Sequence, residues 1–310
     1  MKKIYRLEPR TFANVWGGNR LREYGKISDE DRIGESWELS FVKGSEALAD
    51  GTPLTELFPK ELWGTRAESF DFFPVLTKFI DAKEKLSVQV HPSDDYALKN
   101  EGQYGKSEMW YVVRADEGAG ICLGFNGEYT KDEIEKAVAD GSIEGMLTFK
   151  EVKAGDSFFI PAGTVHAICG GVLIFEVQQN STLTYRLYDY LRRDQSGNLR
   201  ELHVDRALEV LHTGAYPDSI NRAPEGEDER LLAECEYFKV TEYTLSGEEI
   251  TLTADSSSFT ALTVISGECT VAADEEAETA KHGDSFFIPA QNEETKIRIF
   301  GSGSIIKIEI

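Results

Sequence analysis

The chain has 310 residues, of which 41% are apolar and 28% charged, and its formal net charge is −22. The length fits two ordinary domains, and the composition is that of a folded globular protein. So negative a chain repels nucleic acid and anionic lipid, so we expect neither as a partner. No run of about 18 apolar residues occurs, and the start lacks the apolar run of a signal peptide, so the sequence predicts neither a membrane span nor export.

The cysteines bear on the cellular compartment. The four of them, Cys122, Cys169, Cys235 and Cys269, stand far apart without CxxC spacing. This pattern is typical of free thiols in a reducing compartment and not of a disulfide framework. We therefore expect a cytoplasmic protein.

The first element with functional side chains is a predicted strand from Leu86 to His91. Alternation along a strand puts Ser87, Gln89 and His91 on one face and the apolar residues between them on the other. Glu108 opens a second predicted strand, because aromatic and aliphatic residues follow it. An imidazole and a carboxylate thus become candidate metal ligands.

Two helices and a connector are also predicted. One helix covers Asp132–Ala139, with Thr130 as a plausible N-cap and Glu133 three residues later, and the other covers Leu202–Leu211. We expect both to be insertions that decorate β units. The acidic segment Asp218–Arg230 has the composition of an exposed connector, which places a domain boundary near residue 230.

The octapeptide GDSFFIPA occurs twice, at residues 155–162 and 283–290. Such self-similarity predicts two copies of one β unit. Short runs rich in β-branched and aromatic residues surround both copies and are typical of barrels or sandwiches. We therefore predict a mainly β chain with an N-terminal domain at residues 1–230, carrying the helices, and a C-terminal domain at residues 231–310.

His166 follows the first copy, after a tight turn that Pro161 and Gly163 fit. Taken alone, each histidine of this chain is more often a hydrogen-bonded barrel residue than a ligand. Two imidazoles, one carboxylate and the amide oxygen of Gln89 together form a mixed N/O set that suits Zn²⁺ with an open position. In the second copy the residue at the equivalent offset is Glu294, and no histidine occurs at residues 261–271, so the C-terminal unit has lost the ligand set.

The arrangement of His91, Glu108 and the glycine-proline-histidine segment resembles the two motifs of the cupin superfamily, in which small antiparallel barrels hold a metal. Gln89 stands where many cupins have another histidine. Together with LSVQVHPSDDYA, GKSEMWYVV, FFIPAGTVHAI and FEVQQNSTLTYRLYDY, these motifs resemble the type I mannose-6-phosphate isomerases from about Trp16 to Leu211. The chain looks like their compact bacterial form.

The resemblance implies two jelly-roll-like cupin barrels with a few inserted helices. It implies an aldose-ketose isomerase that interconverts mannose 6-phosphate and fructose 6-phosphate through a metal-stabilised enediol. It also implies one zinc ion per chain, held by Gln89, His91, Glu108 and His166. Arg186 would be the catalytic arginine, and Lys106 would match a lysine of the same pocket.

Three residues are candidates for the general base. Glu176 is one candidate, because it shares a strand face with Gln178 and lies ten residues before Arg186. Asp189 and Lys106 are rivals. Glu176 equally fits a residue that orients a metal-bound histidine.

A phosphorylated substrate requires local cations in so acidic a chain. Ser87, on the ligand face, and Lys85, just before the metal strand, are our predicted substrate-binding residues. The densest basic positions near the motifs are Lys78, Lys83, Lys85, Arg192 and Arg193.

Two other functions fit the motifs. An iron-dependent cupin dioxygenase is one, because two histidines and a carboxylate also suit non-haem iron. A sugar-binding bicupin without turnover is the other, because fold does not dictate function. Gln89 and Arg186 favour the isomerase, and a pure binder would not need both Lys106 and Arg186. The sequence predicts no oligomeric state.

Overall fold

The computed structural model describes residues 2–193, 197–216 and 228–310, and it is mostly β. The strands are β1 (Tyr5–Glu8), β2 (Arg10–Phe12), β3 (Glu35–Leu39), β4 (Leu48–Ala49), β5 (Thr52–Pro53), β6 (Val75–Ala82), β7 (Val88–Val90), β8 (Glu108–Ala115), β9 (Gly120–Phe125), β10 (Leu147–Glu151), β11 (Ser157–Ile160), β12 (His166–Ile168), β13 (Val172–Gln179), β14 (Tyr185–Tyr188), β15 (Glu229–Glu234), β16 (Lys239–Ser246), β17 (Ile250–Ala254), β18 (Thr260–Ala273), β19 (Glu276–Lys281), β20 (Ser285–Ile288) and β21 (Thr295–Glu309). The α-helices are α1 (Leu54–Leu57), α2 (Asp94–Asn100), α3 (Lys131–Asp140) and α4 (Val204–Val210), and short 3₁₀ helices lie at Arg20–Arg22, Lys60–Leu62, Thr65–Ala67 and Ser142–Met146. The predicted mainly β fold with a few inserted helices is confirmed.

The first barrel consists of two sheets, ordered β11-β8-β13-β6-β3-β2 and β10-β9-β12-β7-β14. Their inner faces pack against each other, with Trp110 and Ile174 from one sheet and Ile121 and Ile168 from the other in a single apolar cluster. β13 runs between β6 and β8, and all eight of its residues are buried. A strand covered on both faces is expected to be apolar throughout, which explains the run from Val172 to Phe175.

The helices α3 and α4 pack on the outer face of the second of these sheets. α3 begins with a capping box in which Thr130 and Glu133 bond each other's backbone N–H, and it ends at Gly141 in the left-handed region with φ 80°. Ile134 of α3 and Ala207 of α4 contact the outward side chains of β7 and β14. Both predicted helices are present, although α4 is shorter than predicted.

The second barrel is built mainly from the C-terminal strands, and the repeated octapeptide occupies matching places in the two barrels. β11 pairs with β8 and β20 pairs with β18, both antiparallel. Ile160 of the first copy lies opposite Glu108, and Ile288 of the second lies opposite Thr260. The position that holds a carboxylate in the first barrel therefore holds a hydroxyl in the second.

Strands from near the start of the chain join the C-terminal sheet. Tyr5 of β1 pairs with Phe287 of β20, and the other edge of β1 pairs with β4. The predicted boundary near residue 230 stays a prediction, and the predicted connector lies outside the described residues up to residue 227. No helix in the described ranges is long and apolar enough to cross a membrane.

A large apolar cluster joins the barrels, with Phe79 and Phe175 from the first and Phe287 from the second. Beside it lies a buried ion pair between Lys26 Nζ and Glu38 Oε2, 2.8 Å apart. Lys26 also donates to the Gly283 carbonyl, and Ser36 and Ser285 both donate to Glu38. Because Gly283 and Ser285 belong to the second barrel, the pair connects the two barrels.

Candidate metal centre

Strand β7 carries the first candidate metal ligands, because its side chains alternate between the two faces of the sheet. Val88 and Val90 face outward into the cluster with α3 and α4, so Gln89 and the flanking His91 face the barrel interior. Gln89 lies in register with His166 of β12 on one side and with Arg186 of β14 on the other. Pairing between strands therefore brings together donors that are far apart in the sequence.

His91, Glu108 and His166 form a buried group whose ligand atoms all lie within 4.8 Å of one another. The His91 Nε2 atom is 3.6 Å from Glu108 Oε2, and the His166 Nε2 atom is 3.3 Å from Glu108 Oε1. All three side chains are 1% exposed. Among the described residues this is the one group of His, Cys, Asp and Glu with such spacing.

Both imidazoles are oriented by backbone carbonyls. His91 Nδ1 donates to the Leu183 carbonyl at 2.7 Å, and His166 Nδ1 donates to the Thr164 carbonyl at 2.9 Å. A proton held on Nδ1 leaves the lone pair of Nε2 free and aims it at the centre of the group. Glu176 makes neither of these bonds, so orientation of a ligand histidine is not its role in this geometry.

Gln89 adds an amide at the edge of the group. Its Nε2 lies 3.3 Å from His166 Nε2, and Ser87 donates to its Oε1 at 3.3 Å. Rotating the amide by about 180° exchanges the two atoms and presents the oxygen, which is the atom that binds a cation. Ser87 is buried and contacts Gln89 directly.

The donor set fits a metal ion. Glu108 Oε1 is buried and receives no hydrogen bond from any described residue, and a buried carboxylate oxygen without a donor requires another partner. Two imidazole nitrogens, one carboxylate and one amide oxygen suit Zn²⁺ with a position left for substrate. Iron favours a similar set, so the donors alone fix the class of metal and not its identity.

A chain of alternating charges leads away from the triad. Lys106 Nζ lies 2.8 Å from Glu108 Oε2 and 3.8 Å from Glu176 Oε1, and Lys78 lies 3.5 Å from the same oxygen of Glu176. Trp110 Nε1 donates to Glu176 Oε2 at 2.8 Å. Lys78, one of the basic positions near the motifs, is buried between Glu176 and Glu35.

These contacts set the protonation states. Burial, with the nearby Lys106 charge, lowers the pKa of His91 well below its usual value and that of His166 to about 4. Burial raises the pKa of Glu108 to about 7. Burial alone would raise the pKa of Glu176, but Lys106 and Lys78 lower it overall. Both imidazoles are therefore neutral near pH 7.

Arg186 shares its face of the sheet with Gln89. It donates from Nη1 to the Glu201 carbonyl at 2.7 Å, while its Nε is buried without an acceptor among the described residues. Burial and the neighbouring Arg200 lower the pKa of Arg186. Its guanidinium therefore keeps donor capacity for a ligand.

Asp189, a rival for the general base, is buried and bound on two sides. Arg192 lies 3.0 Å and Arg200 3.3 Å from its Oδ1. The Asp189 carboxylate therefore already binds two arginines. Arg200 was not foreseen from sequence, because only the fold of the loop after β14 brings it to Asp189.

Lys85 lines a cavity of about 580 Å³ together with Tyr190 and Arg192. It forms an ion pair with Glu144 at 2.6 Å, and this hydrogen bond raises the pKa of Lys85. The other basic candidates lie apart: Lys83 lines a separate cavity with Asp81 and Asp116, and Arg193 donates to the Gly197 carbonyl.

Known families match both parts of the chain. The model described as phosphomannose isomerase type I, catalytic domain, matches residues 4–114. The model described as mannose-6-phosphate isomerase, cupin domain, matches residues 228–310.

Whole-chain similarity points the same way. The chain is 36% identical over 296 residues to a mannose-6-phosphate isomerase of Streptococcus mutans, covering 91% of each chain. It is 37% identical over 284 residues to the mannose-6-phosphate isomerase ManA of Bacillus subtilis, covering 89% of each. A crystal structure of the mannose 6-phosphate isomerase from Bacillus subtilis superposes over 100% of both chains with a TM-score of 0.87 at 33% identity.

Proposed function

Because the chain belongs to the type I phosphomannose isomerase family, we propose that it interconverts mannose 6-phosphate and fructose 6-phosphate at one zinc ion held by Gln89, His91, Glu108 and His166. The observation that carries the proposal is the buried triad in which Glu108 Oε1 receives no hydrogen bond from the described residues. The two relatives named above are mannose-6-phosphate isomerases, and neither an iron-dependent dioxygenase nor a sugar-binding bicupin is favoured by them.

The reaction moves a proton between two adjacent carbons through an enediol, so negative charge develops on the sugar carbonyl oxygen. Gln89, His91, Glu108 and His166 would hold a zinc ion, which would supply Lewis-acid polarisation of that carbonyl. The Arg186 guanidinium, beside Gln89, donates hydrogen bonds to the same developing charge. The Lys106 ammonium, 3.3 Å from His91 Nε2, adds a second positive group at the reacting end of the sugar.

Glu176 has two roles at this site. Its low pKa makes it an ionised carboxylate that holds Lys106 protonated and aimed at the triad. The same ionised state is what a general base needs before it accepts a proton. We propose Glu176 as the base in preference to Asp189, because Glu176 contacts Lys106 beside the triad, whereas Asp189 contacts Arg192 and Arg200 after β14.

The phosphate is proposed to bind at the cavity of Lys85 and Arg192. Both cations face one space there, and Tyr190 lies between them, with its ring centre 5.3 Å from Lys85 and 5.4 Å from Arg192. Paired cations supply the local attraction that the acidic chain lacks. Ser87 is the proposed hydroxyl donor, two residues from Lys85.

We also propose that the protein acts in the cytoplasm without nucleic-acid or membrane partners. Cys122, Cys169, Cys235 and Cys269 are all free thiols, which suits a reducing compartment. The net charge of −22 argues against polyanionic partners.

A coupled assay for fructose 6-phosphate formed from mannose 6-phosphate tests the function. The protein is assayed as purified, after chelation, and after addition of zinc or of iron. Activity that disappears with chelator and returns with zinc supports the proposal. A folded, zinc-loaded chain without turnover contradicts it, and activity restored by iron alone contradicts the choice of metal.

Two variants and a control extend the assay. His166→Ala removes a ligand and Arg186→Ala removes the donor beside Gln89, so both should lower kcat by about a hundredfold or more. His282→Ala is the matched control, since this histidine lies in the second barrel and contacts the Glu23 carbonyl. Its kcat should equal that of the parent chain.

A further inference from the structure

Two segments that carry site residues are fastened together at Asp94. One segment follows His91, and the other, Gly105–Ser107, precedes Glu108. Gly105 N donates to Asp94 Oδ1 at 2.6 Å, and Lys106 N donates to the Pro92 carbonyl at 2.9 Å. The backbone on the N-terminal side of Lys106 is therefore fixed by the segment that follows a metal ligand.

The approach of the two segments is close. A Cβ atom on Gly105 would lie 2.5 Å from the Pro92 carbonyl oxygen and 2.6 Å from the Asp94 nitrogen. Only glycine fits this contact without movement of the backbone. The bond from Gly105 to Asp94 thus depends on a tight, specific fit.

Gln179, at the end of β13, holds the other side of Lys106. Its Oε1 accepts from Ser107 N at 2.8 Å, and its own N donates to the Ser107 carbonyl at 3.1 Å. Its Nε2 donates to Asp94 Oδ1 at 2.9 Å. Asp94 therefore receives bonds from both neighbours of Lys106, directly from Gly105 and through Gln179 from Ser107.

The remaining oxygen of Asp94 is bound by the second barrel. Tyr237, between β15 and β16, donates its hydroxyl to Asp94 Oδ2. Its ring packs with Phe70 and Tyr104 at centroid distances of 5.5 and 6.0 Å. Burial and the Asp94 carboxylate raise the pKa of Tyr237, so the hydroxyl stays a donor.

We propose that Asp94 and Tyr237 are positioning residues for the isomerase reaction, through which the second barrel holds Lys106 and Glu108 at the metal. The proposal rests on the proposed function. It gives the second barrel, which lacks the ligand set in its described residues, a defined task at the active site. A small displacement of a group that faces the reacting atoms is enough to lower the rate, because catalysis depends on its placement.

The test combines kinetics with amide hydrogen exchange of residues 104–108. The variants are Tyr237→Phe, Asp94→Ala, Asp94→Asn and the double variant Tyr237→Phe with Asp94→Ala. Tyr243→Phe is the matched control, because it also removes a tyrosine-carboxylate bond from the second barrel, to Glu229. Exchange is measured on zinc-free protein, so that it does not depend on the enzyme being active.

Asp94→Ala should lower kcat about tenfold with KM within about twofold, and should speed exchange of the Gly105 and Ser107 amides. Asp94→Asn keeps an acceptor for Gly105 and Gln179, so its kcat should be reduced much less. We expect a loss of kcat of about threefold in Asp94→Asn and in Tyr237→Phe. The double variant should match Asp94→Ala, since Tyr237 acts through Asp94.

Three results would overturn the proposal. One is an exchange rate of the amides of residues 104–108 in Tyr237→Phe equal to that in Tyr243→Phe. Another is faster exchange of these amides with kcat unchanged. Losses that multiply in the double variant would show that Tyr237 acts independently of Asp94. If the parent chain lacked isomerase activity, the proposed function would fall while the exchange results still reported on the bonds to Asp94.

Discussion

Replacing Lys26 by methionine tests how the two barrels are joined. Its ammonium lies 2.8 Å from Glu38, and the two side chains are 4% and 1% exposed. Removing one partner of a buried pair costs about 3–5 kcal/mol, because the other charge is left uncompensated. Ser36 and Ser285 still donate to Glu38, so we expect the lower end, about 3 kcal/mol.

The corresponding change in melting temperature follows from chain length. An unfolding entropy of about 2.1 cal/mol/K per residue gives about 0.65 kcal/mol/K for a chain of 310 residues. A loss of about 3 kcal/mol then lowers Tm by about 5 °C, measured by calorimetry on zinc-loaded protein. Lys2→Met is the control, because its pair with Asp50 is exposed and worth less than about 1 kcal/mol. A Tm for Lys26→Met equal to that of Lys2→Met would refute the reasoning.

Two further predictions concern the ligand carboxylate and a helix cap. Glu108→Gln keeps the size of the side chain but removes the anionic metal ligand, so the zinc content per chain should fall well below that of the parent chain. The zinc content is measured by elemental analysis after dialysis. An unchanged zinc content would exclude Glu108 as a ligand. Thr130→Ala removes the hydroxyl that accepts from Glu133 N, so urea denaturation should show a loss of about 1 kcal/mol with kcat unchanged, and equal stability would mean that the capping box contributes nothing.

Local sequence patterns were enough to predict that His91, Glu108 and His166 lie close together. Alternation put Gln89 and His91 on one face, and the turn before His166 follows from Pro161 and Gly163. The mainly β fold was predicted equally well, because the repeat and the short strands are local signals. Thr130 and Glu133 likewise define the start of α3 within three residues of chain.

The contacts around the triad were beyond local patterns. Lys78 looked like a free cation near the motifs, yet strand pairing places it opposite Glu176, in a buried ion pair. Tyr237 gave no signal at all, because its link to Asp94 joins residues of different barrels. Such contacts depend on register and on how the two barrels dock, neither of which a linear pattern contains.

The pairing of β1 with β20 has a consequence for synthesis on the ribosome. β1 emerges long before its partner Ser285–Ile288, which lies far downstream in the chain. Until then one edge of β1 has open N–H and C=O groups, which can pair with another nascent chain. Long-range pairings of this kind also form slowly. A transcript cut short before Ser285 would therefore release chains with a permanently open edge, which are the ones expected to aggregate.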